Sequence, residues 1–175
     1  MPHVLEPAAT GRSKCRACGG AIGKGELRFG EQLQNPFADS EMTWWFHPDC
    51  AAYRRPQSFL DAADATTGLP DVEALRSEAR RGIELHRLPR INGVERAKSA
   101  RARCRACRAP IARDAWRIPL VTFDEGMFNP AGNVHLTCAE RYFGTREILP
   151  RLARHTVDLT PAERADLEAV LVTAT

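Results

Sequence analysis

Two copies of one pattern, Cys-x-x-Cys followed at a distance by His-x-x-Cys, restrict the folds open to this chain more than any other feature. The first set is Cys15, Cys18, His47 and Cys50; the second is Cys104, Cys107, His135 and Cys138, and together they use all six cysteines. A zinc ion takes four soft or borderline ligands in a tetrahedron, which three thiolates and one imidazole supply. Cysteines at i and i+3 wrap a tight turn so that both sulfurs face one point. His and Cys at the same spacing in the first turn of a helix share a face and complete the shell. The reading is two structural zinc ions per chain, in closed shells with no open position for chemistry. Disulfides or buried free thiols are the competing uses of six cysteines. Neither a secretory leader nor a stretch fit to cross a bilayer is legible. The expected setting is therefore inside the cell, where thiols stay reduced and patterned cysteines favour metal.

The ligand sets sit inside a longer repeat, which is the first thing to look for in any chain. Thr10-Gly-Arg-Ser-Lys-Cys-Arg-Ala-Cys18 aligns with Ser99-Ala-Arg-Ala-Arg-Cys-Arg-Ala-Cys107 without a gap. Ile22 aligns with Ile111, Leu27-Arg28-Phe29 with Trp116-Arg117-Ile118, and Glu6 with Glu95. The offset is 89 residues at the start and 88 at the histidine, so one residue has been lost between copies. Duplication accounts for this.

Each copy reads as a Cys-x-x-Cys turn, a strand (26 to 34; 115 to 123), a loop (35 to 40; 124 to 132), a short return strand and a helix. Pro48 suits the first turn of the first of those helices. Strand alternation sets Trp45 on the side of His47 and into a small core, with Met42, Trp44 and Phe46 on the other face. Pro119 interrupts the corresponding strand of the second copy. Pro70-Asp71 opens a further helix, and Thr160-Pro161-Ala-Glu163 reads as cap, N1 proline and N3 glutamate of a last one. The fold class is α+β: two small Cys3His modules of short antiparallel strands plus helix, with accessory helices between and after them. The segments are 1–55 (first finger), 56–93 (helical linker), 94–143 (second finger) and 144–175 (C-terminal helices), with 82–100 as the connection between modules. A module this small rarely buries enough apolar surface by itself, and metal is a common staple. His3, His86 and His155 have no partner pattern and take surface or packing roles.

Charge narrows the function. The net charge of +3 becomes about +1 once six thiolates and two zinc ions are counted. Attraction to nucleic acid must therefore be local, and it is: thirteen Arg or Lys face four acids between Arg76 and Arg117. Asp158, Glu163, Asp166 and Glu168 mark the last helix as acidic and available to a protein partner. Lysine occurs only at 14, 24 and 98, and this Arg- and Ala-rich composition suggests a bacterial cytoplasm or nucleoid; a eukaryotic source implies the nucleus.

The spacing also selects the type of finger. Twenty-eight residues separate Cys18 from His47 and twenty-seven separate Cys107 from His135, against about twelve in the DNA-reading Cys2His2 finger. LIM domains have a shorter gap and a second zinc half directly after it. Gly11-Arg12-Ser-Lys-Cys15-x-x-Cys18, Ile22, Lys24 to Leu27-Arg28 and Trp45-Phe46-His47-Pro-x-Cys50 resemble the zinc fingers of poly(ADP-ribose) polymerase, which also occur at the N-terminus of a DNA ligase. Val94 to Cys104 resembles the same opening. The resemblance covers most of 4–55 and 94–143, and 69–79 is similar to the helical segment that follows these fingers.

The resemblance implies binding to DNA ends, nicks and breaks without sequence choice. Arginines at the positions of Arg12 and Arg28 would grip the backbone, and a loop carrying Phe37 and Met42 would meet exposed bases. Independently, Arg12, Arg28, Arg101 and Arg117 recur at matched places, and a guanidinium suits phosphate through paired donors. Further base-facing candidates are Trp44 in the first copy and Met127 and Phe128 in the second. Loop packing is the plain alternative for the apolar residues, and a solvated face for the arginines. The expected protein is a monomeric, non-membrane DNA binder. The rival function is a zinc-scaffolded protein adaptor in the manner of LIM domains. No phosphate-cradling glycine loop or nucleophile elbow appears, so the reading is not an enzyme.

Overall fold

The computed structural model describes residues 3–35, 38–66, 72–124, 126–156 and 159–173. The chain forms two compact units, Met1–Pro89 and Arg90–Thr175. In the first, strands β1 (Val4–Pro7), β2 (Leu27–Gln34) and β3 (Glu41–Phe46) make an antiparallel sheet in that order, followed by helices α1 (Pro48–Arg54), α2 (Pro56–Ala65) and α3 (Val72–Glu84). In the second, β4 (Glu95–Arg96), β5 (Trp116–Asp124) and β6 (Met127–His135) repeat the sheet, and α4 (Ala139–Phe143), α5 (Leu149–His155) and α6 (Pro161–Thr173) follow. The α+β architecture is as expected.

Register decides what each sheet buries. Phe29 lies opposite Phe46, Gly30 opposite Trp45 and Glu31 opposite Trp44, and residues opposite one another share a face. Helix α2 lays Phe59 against Phe29 at 6.0 Å between ring centroids, and Phe29 meets Phe46 at the same distance. All three are fully buried, each contributing about 1.5–3 kcal/mol. This corrects the expectation for β3: the covered face is that of Phe46, while Trp45 is half-buried on the opposite side. Alternation was right in parity. Which side counts as inside was settled by α2, which packs Phe59 onto the face of Phe29 and Phe46.

The covered face of the first sheet also holds a charge. Glu31 is fully buried; its carboxylate accepts from Arg55 Nε at 2.8 Å and from the Ser58 hydroxyl at 2.7 Å. A buried carboxylate persists only when paired and hydrogen-bonded in this way. It ties β2 to the start of α2.

Three further expectations change in the second unit. Strand β5 runs through Pro119, which sits opposite Asn133 while its carbonyl accepts from the Asn92 N–H at 2.9 Å; a register shift between Leu120 and Val121 absorbs the irregularity. Residues 127–132, read as loop from their Asn, Pro and Gly, belong to β6, because cross-strand packing such as Phe123 against Phe128 (5.1 Å) outweighs local preference. The stretch 82–100 is not a bare connection. Helix α3 extends to Glu84, Ile91 is buried and bridges to Leu120, and the Val94 N–H donates to Thr156 Oγ1 at 2.8 Å.

The helix ends follow their residues. The expected opening of α3 at Pro70-Asp71 lies outside the described residues. At α6 the Glu163 N–H donates to Thr160 Oγ1 at 3.2 Å and the Thr160 N–H donates back to Glu163 at 2.9 Å, a reciprocal cap. The Thr160 N–H and hydroxyl, both donating to the Glu163 carboxylate, hold its pKa below the ordinary value.

Candidate zinc centres and nucleic-acid interface

The two ligand sets come together as the sequence requires. Within each, one ligand atom per residue lies within 4.8 Å of all the others. Cys18 Sγ stands 3.5 Å from His47 Nδ1 and Cys107 Sγ 3.4 Å from His135 Nδ1. Tetrahedral zinc at ordinary bond lengths sets sulfur and nitrogen ligands about 3.5 Å apart, so the residues fit that ion.

The same supports recur around both. Cys15 N–H donates to Gly20 carbonyl and Cys104 N–H to Ala109 carbonyl, closing the knuckle below the sulfurs. His47 N–H points at Cys15 Sγ and His135 N–H at Cys104 Sγ, both at 3.4 Å. Each histidine directs Nδ1 at the sulfurs and Nε2 at a carbonyl, Ala21 at 3.1 Å or Pro110 at 3.2 Å. Such a carbonyl fixes the tautomer and aims the ring. The sulfurs are also electrically crowded. A hydrogen bond from Cys50 draws Cys15 down to about 4, and the same bond with burial pushes Cys50 far up. Three thiolates at one point need a cation among them. In the second set the His and Cys are joined by a 3-10 turn, Leu136–Cys138, before α4 begins.

The expected DNA-facing residues divide into three groups. Arg12 and Arg101 are exposed beside the knuckles and have no partner among the described residues. Arg28 and Arg117 are turned inward. Arg28 is 8% exposed, donates to Glu6 at 2.6 Å and to Ser13 at 2.9 Å, and lies 3.4 Å from the centre of the Trp45 ring. Arg117 donates to Glu95 at 2.8 Å. The sequence had aligned these Arg and Glu pairs without signalling that they meet. Each guanidinium is engaged largely within its own module.

The apolar candidates form the third group. Phe37 lies outside the described residues. Met42 is half-buried on the Phe46 face, and Trp44, on the same face, carries the Arg16 guanidinium 4.2 Å from its ring centre. Met127, beside the β5–β6 turn, is 43% exposed, whereas Phe128 is half-buried against Phe123. Sequence reasoning assigned Trp45 to the core; its half-buried indole instead lies over Gly30 so closely that a Cβ there would stand 2.7 Å from Cζ3. The glycine opposite an aromatic was the available signal.

Fold and ligand geometry together define a pair of closed Cys3His zinc modules, each a three-stranded sheet clamped to the helix that follows it. Residues 6–86 match the family described as the poly(ADP-ribose) polymerase and DNA-ligase Zn-finger region. Poly(ADP-ribose) polymerase of Drosophila melanogaster is 29% identical over 71% of this chain and 14% of its own length. The rice polymerase is 29% identical over 71% of the chain and 13% of its own. Polynucleotide 3'-phosphatase ZDP of Arabidopsis thaliana is 26% identical over 79% of the chain and 24% of its own. The chain therefore spans a minor part of each of these relatives. Residues 6–86 thus carry a PARP-type zinc finger, and a second Cys3His cluster, Cys104, Cys107, His135 and Cys138, lies in the other unit. The family match continues beyond the expected limit at residue 55 and takes in α2 and α3.

Proposed function

We propose that the chain binds DNA at ends, nicks and breaks, without sequence preference, through backbone contacts and stacking on exposed bases. The observation that supports it most is the matched placement of Arg12 and Arg101: exposed, without a partner among the described residues, three positions before the first ligand of each clamp. Lys14 and Arg16 extend the first of these surfaces. Phosphate contacts of this kind supply affinity and salt dependence but no sequence choice.

An intact duplex hides its base faces and a broken one exposes them. An apolar side chain laid on such a base contributes about 1–3 kcal/mol. Met42, Trp44 and Phe37 are the stacking candidates of the first finger, Met127 and Phe128 of the second. Arg28 serves in this reading by holding the Trp45 surface in place, and Arg117 by bracing β5. The zinc ions are structural, since four protein ligands close each shell, and the chain's own part is binding rather than catalysis. It acts as a monomer where DNA is held, the nucleoid or the nucleus. Among the described residues no helix is long and apolar enough to cross a membrane.

The test compares a duplex with one open end against a dumbbell of the same sequence closed at both. The open end is expected to bind at least about tenfold tighter, the worth of one well-stacked base, with affinity falling steeply as salt rises. Equal affinity sinks the end-binding reading. No DNA affinity at low salt, with two zinc ions retained, would favour the protein-adaptor reading.

A further inference from the structure

The second unit contains a basic pocket beside its knuckle. A concavity of about 300 Å³ beside the knuckle is lined by Arg103, Arg105, Arg108, Gly132 and Asn133, together with Ala102 and Cys104. No carboxylate lines it, and among the described residues none pairs with any of its three arginines. Three arginines lining one concavity without an acid offer an anion a set of charged, forked donors.

The way they are held is specific to this unit. Arg108 stands in the left-handed region at φ 68°, where the matching residue of the first knuckle is Gly19 at φ 74°. A side chain is disfavoured there, yet this knuckle carries an arginine, and it faces the pocket. Gly132 occupies the place that Trp44 takes in the first unit. Without a side chain at 132, Arg105 lies across the backbone: a Cβ would stand 2.6 Å from Arg105 Nε. That Nε donates to the Ala131 carbonyl at 3.2 Å, which leaves both terminal nitrogens available. Arg103 is steadied by donating to the Arg108 carbonyl at 3.3 Å.

We propose that this pocket receives the terminal phosphate monoester of a DNA strand. The inference rests on the DNA-end reading above and names the group at the end that the second finger recognises. An internal phosphodiester carries one charge and is fixed at both sides, so it suits an open surface. A terminal monoester carries nearly two charges near neutrality and protrudes, so it can enter a concavity and meet several guanidiniums at once.

The experiment uses the full zinc-loaded chain and one duplex sequence closed by a hairpin at one end. The open end carries a 5'-phosphate, a 3'-phosphate or hydroxyls only, and a dumbbell without ends serves as reference. A phosphate at one of the two positions is expected to tighten binding about tenfold over hydroxyls, as fits added charge-assisted bonds. That ratio is expected to rise between about pH 5.5 and 7.5 as the monoester takes its second charge. Arg108→Gly relieves the backbone conformation instead of burdening it, so folding is not at risk; with Arg105→Gln it should reduce the ratio to within about twofold. A ratio of one in the unaltered chain overturns the proposal. So does a ratio that survives both substitutions, or a loss shared equally by dumbbell, hydroxyl and phosphate ends. A phosphate preference that these substitutions abolish, with hydroxyl ends bound no better than the dumbbell, would support the pocket while sinking the stacking part of the reading above.

Discussion

The two fingers share one frame and differ in what they place on it. Both have the clamp, the knuckle, the histidine held by a carbonyl and the arginine–glutamate pair between the first two strands of the sheet. The first adds an aromatic on each face of β3: Trp45 over Gly30 with Arg28 beneath, and on the other face Trp44 under Arg16. In the second the matching positions hold Asn133 and Gly132, and both line the arginine-walled hollow. Inside, the buried Glu31 of the first becomes Leu120 in the second, itself 2% exposed. A frame held by metal can carry a polar or an apolar interior, because zinc binding supplies folding free energy that the core need not.

The largest effect that tests this comparison is loss of a clamp. Cys50→Ser should release one zinc and unfold the first unit; Cys138→Ser should do the same to the second, since structural zinc contributes about 10 kcal/mol or more. Metal content by mass spectrometry with amide exchange reads both at once. Release of both ions by either single change would show that the modules are not separately clamped. Acid should act in the same direction: ligand sulfurs must be deprotonated, so zinc affinity falls as pH falls.

Next in size is the buried pair. Arg55→Ala strands the Glu31 carboxylate and should lower stability to urea by about 3 kcal/mol. Adding Glu31→Leu, the residue type found at the matching place of the second unit, should recover most of that loss. If the double variant is no better than the single one, the two interiors are not interchangeable.

A smaller loss, about 1–3 kcal/mol from overpacking, is expected of Gly30→Ala, because the new methyl meets Trp45 and also stands 2.9 Å from Val4 Cγ2. Tryptophan fluorescence should report the displaced indole, and an unchanged emission would count against the tight seat. Smallest is Trp45→Asn, which copies the second finger. Removing the ring over Arg28 should lower stability by about 0.5–2 kcal/mol and leave two zinc ions bound. If stability is unaltered, the Glu6 and Ser13 bonds alone hold Arg28.

The sequence by itself determined both ligand sets, the repeat, the α+β class and the cap at Thr160, since each depends on residue types at fixed short spacings. It also carried the parity of β3, which separates Trp45 from Phe46. Only the tertiary structure decided which side of that strand is covered, because alternation has no inside until helices pack on one face. For the same reason Arg28 and Arg117 read as surface cations in sequence and become paired, inward residues in space: Glu6 and Glu95 stand on strands that meet them only after folding. The buried Glu31 was likewise illegible, since its partners Arg55 and Ser58 lie on elements more than twenty residues away. Local spacing specifies chemistry within a turn or a strand, whereas burial and pairing depend on which elements come to lie against one another.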